Sequence, residues 1–108
     1  MTDEALLGVS GLSGEELGLL RTALANNASL TRAWIFGSRA KGTAKTASDI
    51  DIAVEGLQTH LQVEAVRDSL HDLPLPYAVD VQAMESIKNS ALREHIARCG
   101  LLLLDKLS

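Results

Sequence analysis

The chain has 108 residues, of which 46% are hydrophobic and 22% charged, and this composition is typical of one globular domain with one core. A formal net charge of −4 and an aromatic fraction of 3% disfavour nucleic acid as a direct partner, because nucleic-acid surfaces are usually basic and often present stacking aromatics. No apolar run approaches the ~20 residues of a membrane span, and no basic leader precedes an apolar stretch, so we expect a cytoplasmic protein without a membrane partner.

The first half of the chain predicts one helix and one strand. Residues 1–12 show no clear period and are expected to form a loose lead-in to a single domain over 13–108. Ser13 and Glu16 have the spacing of a capping box, which predicts a helix start. The apolar segment 32–36, followed by Gly37, is typical of a short buried strand.

The second half alternates strands with helices. Residues 49–54 and 77–83 alternate apolar with polar side chains, as half-buried strands do. Residues 57–72 and 85–99 predict helices, and the four leucines at 101–104 predict a last strand. We therefore expect an α+β fold, with a small mixed sheet of about four strands, helices on one face, and aspartates on the other.

Three aspartates occur on the predicted strands. Asp49 and Asp51 are two positions apart, so they project from the same face, and Asp80 lies on another alternating strand. Oxygen ligands without histidine or cysteine favour Mg²⁺ or Mn²⁺, and three converging carboxylates suit two such ions. Ser48 is expected to hydrogen-bond locally and to fix the entry into the strand that carries Asp49.

A glycine-serine turn precedes the aspartates. Gly37 permits a sharp turn and close backbone approach, and the amides that begin at Ser38 are expected to bind a phosphate. Arg39 and Lys41 supply positive charge, either as phosphate contacts or as solvated side chains, and Gly42 is expected to end the turn.

These positions together form a motif that resembles a known family. The segment from Gly37 to Asp51 follows the pattern G-S-x-A-x-G-x(5)-S-D-x-D. The pattern resembles the polymerase β-like nucleotidyltransferase superfamily, and in particular its minimal nucleotidyltransferase (MNT) branch. Asp80 resembles the third aspartate of that family. The similarity in the order of elements covers residues 15–104.

The resemblance implies transfer of a nucleoside monophosphate from an NTP, with ATP as the expected substrate and two Mg²⁺ ions as cofactors. It further implies that Asp49 and Asp51 bind the metals that hold the triphosphate, and that Asp80 completes the second metal site. Gly37 and Ser38 would then hold the β- and γ-phosphates.

The resemblance also implies a partner. MNT proteins of this kind pair with a helical HEPN ribonuclease toxin and act as antitoxins by adenylylating a tyrosine of that toxin. Because no helical acceptor region follows Leu104, we expect a subunit supplied by another chain. Two alternatives are a nucleotidyltransferase that modifies a small-molecule hydroxyl with a separate helical subunit, and an antitoxin that acts by binding alone.

Overall fold

A computed structural model describes residues 3–42 and 48–107. Within these ranges the helices are α1 (Asp3–Ser10), α2 (Gly14–Ala25), α3 (Ser38–Lys41), α4 (His60–His71) and α5 (Ser90–Cys99), with a 3-10 helix at Met84–Ser86. The strands are β1 (Arg32–Phe36), β2 (Ile50–Glu55), β3 (Val79–Ala83) and β4 (Leu101–Asp105). None of these helices is long and apolar enough to cross a membrane.

The strands form one mixed sheet in the order β3-β2-β1-β4. β1 pairs antiparallel with both β2 and β4, whereas β2 and β3 are parallel neighbours. The α+β fold with a small mixed sheet of four strands is thereby confirmed. Because β2 and β3 run in parallel, their first residues lie at the same end of the sheet, and this end carries the aspartates.

The two faces of the sheet are covered unequally. On one face, Ile50, Ile52 and Val54 of β2 pack in the main core. Residues from the flanking helices complete this core: Leu17, Leu20 and Leu24 of α2, and Val63, Val66 and Leu70 of α4. The expectation of helices on one face alone is incomplete, because a smaller cluster covers part of the second face: Trp34, Ala53, Met84, Ile87 and Ile96. Ala53, between Asp51 and Glu55, has no bulky side chain to keep α5 away from the sheet.

Capping residues set the helix starts. The predicted capping box of α2 is present, since Ser13 Oγ accepts from the Glu16 amide at 3.1 Å and the Glu16 carboxylate accepts from the Ser13 amide at 2.9 Å. Thr59 and Gln62 form a second capping box at the start of α4. This helix therefore begins later than the predicted residue 57, and Leu57 is buried in the preceding turn.

The N-terminal segment is not the loose lead-in that its sequence predicts. Residues Asp3–Ser10 form α1, and Leu6 and Leu12 are buried in the main core. The absence of a clear period in the sequence is explained by what α1 contacts, namely α3 and β4 rather than the broad face of the sheet. Its last residue, Ser10, is fully buried and takes part in the support of the aspartate end.

Side chains of two helices also donate hydrogen bonds to the backbone of both outer strands, β3 and β4. Arg67 of α4 donates to the Val81 carbonyl of β3 at 3.1 Å, and Arg21 of α2 donates to the Leu103 carbonyl of β4 at 2.9 Å. Edge strands present unpaired backbone groups, which side chains of this kind satisfy. On β3 this contact fixes the strand that carries Asp80.

Candidate active site

Parallel pairing places Asp51 and Asp80 beside each other. The register of β2 and β3 aligns these two residues, so their Cα atoms are separated by roughly the 4.8 Å of adjacent strands. Asp49 is exposed and lies directly before β2, two positions from Asp51. The strand of Asp80 is therefore the neighbour of the strand of Asp51, which the sequence left open, and three carboxylates lie at one end of the sheet.

The electrostatics of this end are unfavourable in the protein by itself. The pKa of Asp51 is raised above its ordinary value, first because partial burial disfavours the charged form, and then because Asp80 and Asp49 repel that charge. A cation placed among these carboxylates would lower this pKa, because it stabilises the charged form. Perturbed acids of this kind are characteristic of functional sites.

Gly37 brings the turn after β1 against Asp51. Phe36 pairs with Asp51 in the antiparallel ladder, and Gly37 follows with a φ of 73°. A Cβ atom on Gly37 would lie 2.5 Å from Oδ2 of Asp51, a separation that real Cβ atoms do not adopt. The glycine is therefore required both for its backbone conformation and for the room that the carboxylate occupies.

The turn continues as the short helix α3. The Gly37 carbonyl accepts from the amides of Ala40 at 3.1 Å and Lys41 at 3.2 Å, which engages these two amides in the turn itself. Gly42 ends α3 in the left-handed conformation, as predicted. Ser38 begins this helix beside the aspartate end, and the Lys41 side chain is exposed at its last turn. The turn thus flanks the carboxylates, as the motif spacing indicates.

For Arg39 the sequence leaves open a phosphate contact or a solvated side chain, and in the structure this side chain is buried. Its side chain is 2% exposed, and its guanidinium donates to backbone carbonyls: from Nη1 to Ser10 at 2.8 Å, and from Nη2 and Nε to Ser48 at 2.8 and 3.2 Å. The guanidinium also lies over the ring of Tyr77, 4.5 Å from its centroid. The guanidinium donors of Arg39 are thus directed at the protein itself, at Ser10 and Ser48.

Sequence reasoning did not identify two members of this support, Ser10 and Tyr77. Ser10 lies in the segment that was expected to be loose, and Tyr77 was interpreted only as an apolar strand residue. No local sequence pattern predicts either contact, because each residue contacts Arg39 across 29 or more positions of the chain. The Ser48 carbonyl accepts from Arg39, whereas the local hydrogen bonding expected of the Ser48 side chain stays a prediction.

The three aspartates fit a hard divalent cation. They offer only oxygen ligands, the donor type that Mg²⁺ and Mn²⁺ prefer. Within residues 3–42 and 48–107, no three acidic, histidine or cysteine side chains are arranged so that they could hold a metal ion by themselves. An ion here would therefore share its coordination with oxygens from another source, and Mg²⁺ commonly does so with substrate phosphates.

Two cavities lie near the ends of the sheet. A cavity of about 310 Å³ lies between α3 and α5, next to the turn at Gly37. Gly37 and Lys41 line one side of it, and His95 and Cys99 line the other. A larger one, of about 630 Å³, lies beyond the last residues of β2 and β3, where Leu57 and Glu85 contribute to its wall. The larger cavity is thus at the opposite end from the aspartates, and the smaller one adjoins the site.

Comparison with known families gives a match over most of the chain. The sequence model of the family described as "Polymerase beta, Nucleotidyltransferase" matches residues 20–107. The chain is also similar to a Haemophilus influenzae protein named "Probable protein adenylyltransferase MntA", with 33% identity over 72 residues. That alignment covers 65% of this chain and 63% of the relative, so the chain spans less than two thirds of that protein's length.

Solved structures share the fold. A crystal structure of a toxin–antitoxin complex with AMP-PNP contains a chain that superimposes with a TM-score of 0.68 at 24% identity, covering 84% of this chain and 74% of that one. A second, of a mutant MntA–HpeT toxin–antitoxin complex, gives a TM-score of 0.66 at 20% identity with the same coverage. At these identities the likeness establishes the shared fold.

Proposed function

Since this chain belongs to the polymerase β nucleotidyltransferase family, we propose that it transfers AMP from ATP to a tyrosine hydroxyl of a HEPN-family ribonuclease toxin and thereby acts as its antitoxin. The observation that carries this proposal is the pairing of Asp51 with Asp80, with Gly37 packed against the Asp51 carboxylate. That arrangement sets metal-binding oxygens beside a turn suited to phosphates. The catalytic domain is then 13–108, with α1 as its support.

Each carboxylate has a role in this proposal. Asp49 and Asp51 would hold Mg²⁺ or Mn²⁺ together with the triphosphate, and Asp80 would complete a second metal site. When bound, the two ions neutralise triphosphate charge and stabilise the attacking and leaving oxygens of an in-line displacement. Gly37 and Ser38 would contact the β- and γ-phosphates, with Lys41 as an exposed charge nearby.

The reaction balances as a simple displacement. The acceptor hydroxyl oxygen forms a bond to the α-phosphorus, while the bond from that phosphorus to the bridging oxygen of the β-phosphate breaks. Pyrophosphate leaves with the bonding electron pair, and the hydroxyl proton is accepted by a carboxylate oxygen of Asp80. The contribution of the protein is mainly positioning and charge compensation, which are the main sources of catalysis in phosphoryl transfer.

Three observations support a protein acceptor. The relative from Haemophilus influenzae is named a protein adenylyltransferase. Both solved neighbours are described as toxin–antitoxin complexes, and one of them contains an ATP analogue. The HEPN identity and the tyrosine follow from the resemblance of the motif between Gly37 and Asp51 to MNT antitoxins.

The test is transfer of AMP to the cognate partner. With purified chain, ATP and Mg²⁺, we expect mass spectrometry to find a partner heavier by one or more AMP units, on a tyrosine. The double substitution Asp49→Asn with Asp51→Asn should abolish the product, because both charges that would hold the metal ions are removed. Asp105→Asn is the matched control, since Asp105 ends β4 opposite Arg32, at the far end of the sheet.

Other outcomes would overturn the proposal in distinct ways. Undiminished transfer by the double variant would disprove the site. AMP found on a small molecule, with the partner unlabelled, would favour the small-molecule alternative. Inhibition of the toxin without any ATP binding in calorimetry would show an antitoxin that acts by binding alone.

A further inference from the structure

Arg39 is a buried cation whose polar partners are backbone carbonyls. Two of its nitrogens, Nη2 and Nε, donate to the single carbonyl oxygen of Ser48, and Nη1 donates to Ser10. Burial of a guanidinium is costly unless its donors are satisfied, and in the described parts of the chain no buried side-chain nitrogen or oxygen lacks a hydrogen-bond partner. The guanidinium is therefore held in one place, with Tyr77 on one of its faces.

Its contacts join three segments that carry site residues. Arg39 itself lies two positions after Gly37, Ser48 directly precedes Asp49, and Tyr77 lies three positions before Asp80. Ser10 adds the carboxyl end of α1, where the last carbonyls of a helix attract a cation. The Arg39 side chain thus connects the turn after Gly37 with the segments that lead into β2 and β3.

Asp49 in particular depends on this connection. It lies outside β2, whose first residue Ile50 donates its amide to the Ala78 carbonyl at 2.8 Å. Two residues earlier in the chain, the Ser48 carbonyl accepts from Nε and Nη2 of Arg39. The peptide group that links Ser48 to Asp49 is therefore fixed by the guanidinium on one side and by the sheet on the other.

We propose that Arg39 is a positioning residue that sets Asp49 relative to Asp51 and Asp80 for metal and nucleotide binding, an inference that rests on the proposed function. Groups that orient metal ligands commonly change metal affinity or activity by 10- to 100-fold when they are removed. Lysine cannot replace this arginine, because a single ammonium lacks the planar fork that reaches Ser10 and Ser48 together.

The test compares two arginines that each lie over an aromatic ring. We would measure the binding of Mn²⁺ with AMP-PNP by electron paramagnetic resonance for the wild type, Arg39→Lys and Arg32→Lys. Arg32 lies 5.5 Å from the ring centroid of Trp34 and pairs with Glu55, at the other end of β1. We expect Mn²⁺ affinity to fall by about 10-fold or more in Arg39→Lys and to stay at the wild-type level in Arg32→Lys.

A second pair of variants tests the aromatic contact and covers the case in which Arg39→Lys does not fold. Tyr77→Phe keeps the ring under the guanidinium and should bind Mn²⁺ like the wild type. Tyr77→Leu removes the ring and should weaken binding by about 2- to 5-fold, the usual size of a cation–π contact. Unchanged affinity in both Arg39→Lys and Tyr77→Leu, or an equal loss in Arg32→Lys, would overturn the proposal.

Amide hydrogen exchange separates this inference from the proposed function, because it needs no ligand. In Arg39→Lys we expect faster exchange at Asp49 and Ile50 than in the wild type, with β4 unchanged. If the wild type binds no Mn²⁺ with AMP-PNP, the proposed function fails, while faster exchange would still establish that Arg39 fixes this segment. Unaltered exchange in a folded Arg39→Lys variant would contradict the positioning role.

Discussion

The strand β2 carries a carboxylate near each end, and the two have opposite surroundings. At one end Glu55 faces Arg32 across the ladder and accepts from its Nε at 2.7 Å and its Nη2 at 3.1 Å. At the other end Asp51 faces Phe36, with Gly37 against its oxygen and Asp80 beside it. The Glu55 hydrogen bond and charge raise the pKa of Arg32, whereas burial and like charges raise the pKa of Asp51.

This difference separates stability from function within one strand. The Arg32–Glu55 pair is complete in the protein by itself, although it contributes modestly because the Arg32 side chain is 38% exposed. At the Asp51 end the carboxylates of Asp80 and Asp49 repel that of Asp51, and no opposite charge in the described residues is seen to offset them. Unfavourable electrostatics kept in place by the fold are characteristic of a site that acquires its partner from solution.

The largest expected effect distinguishes two glycines at these ends. A Cβ on Gly37 would meet Oδ2 of Asp51 at 2.5 Å, and a Cβ on Gly56 would meet the Ser29 carbonyl oxygen at 2.5 Å. Both have positive φ, so either alanine should cost about 1–3 kcal/mol of stability. Only Gly37→Ala should also lower AMP transfer per folded molecule, on the order of 100-fold, because it displaces a carboxylate.

Activity measured below the unfolding temperature of each variant, and scaled to the folded fraction from circular dichroism, checks this expectation. Gly56→Ala should keep wild-type activity per folded molecule. An equal loss in both variants would show that general strain, rather than the displacement of Asp51, causes the effect.

Neutralising the carboxylate at either end of β2 should change the unfolding temperature by a smaller amount, with opposite signs for Asp51 and Glu55. The folded-state pKa of Asp51 is raised above its ordinary value of 3.8. The folded protein therefore binds this proton more tightly than the unfolded chain, and stability from this group falls as pH rises from the ordinary pKa through the raised one. Asp51→Asn removes the penalty and should raise the unfolding temperature at pH 7 slightly, because solvent screens a carboxylate that is only partly buried.

The companion variant Glu55→Gln should instead lower the unfolding temperature at pH 7, because it weakens the contact with Arg32. Calorimetric scans at pH 7 and below pH 4 provide the measurement, and the gain from Asp51→Asn should disappear at the acid pH. A loss of stability in Asp51→Asn at pH 7 would contradict the repulsion inferred among the aspartates.

The smallest effect concerns two exposed lysines. Lys41 lies at the end of α3 beside the predicted phosphate contacts, whereas Lys88 lines the cavity at the opposite end of the sheet. Lys41→Ala should raise the KM for ATP by about 2- to 5-fold, an effect that added salt reduces, because the charge is solvent-screened. Steady-state kinetics at two salt concentrations test this, and the same change in Lys88→Ala would indicate a general effect of net charge.

Local patterns predicted most of the fold and the core of the site. The capping box at Ser13, the alternation that places Asp49 and Asp51 on one face, and the spacing from Gly37 to Asp51 all arise within short segments. The predicted strands occur, with boundaries displaced by a residue or two. Backbone geometry alone relates such neighbours, so the sequence is sufficient to place them.

The two main errors have a common cause. The sequence predicts a loose segment at 1–12 and an Arg39 that either contacts phosphate or is solvated, yet Arg39 is buried and donates to Ser10 at the end of α1. Each residue is ordinary in its own segment, and the contact forms across 29 positions of chain. Likewise, the alternation in β2 could not reveal that Ile96 of α5 packs on the face that carries Asp51.

Residue type and local period are sufficient to identify the family motif, its carboxylates and the glycine that precedes them. Tertiary structure decided which strands are neighbours, and therefore that Asp80 lies beside Asp51. It also decided that Arg39 is enclosed by Ser10, Ser48 and Tyr77, and so withdrawn from solvent. The physical reason is that a buried cation is placed by whichever distant groups can satisfy its donors, and no local pattern identifies those groups.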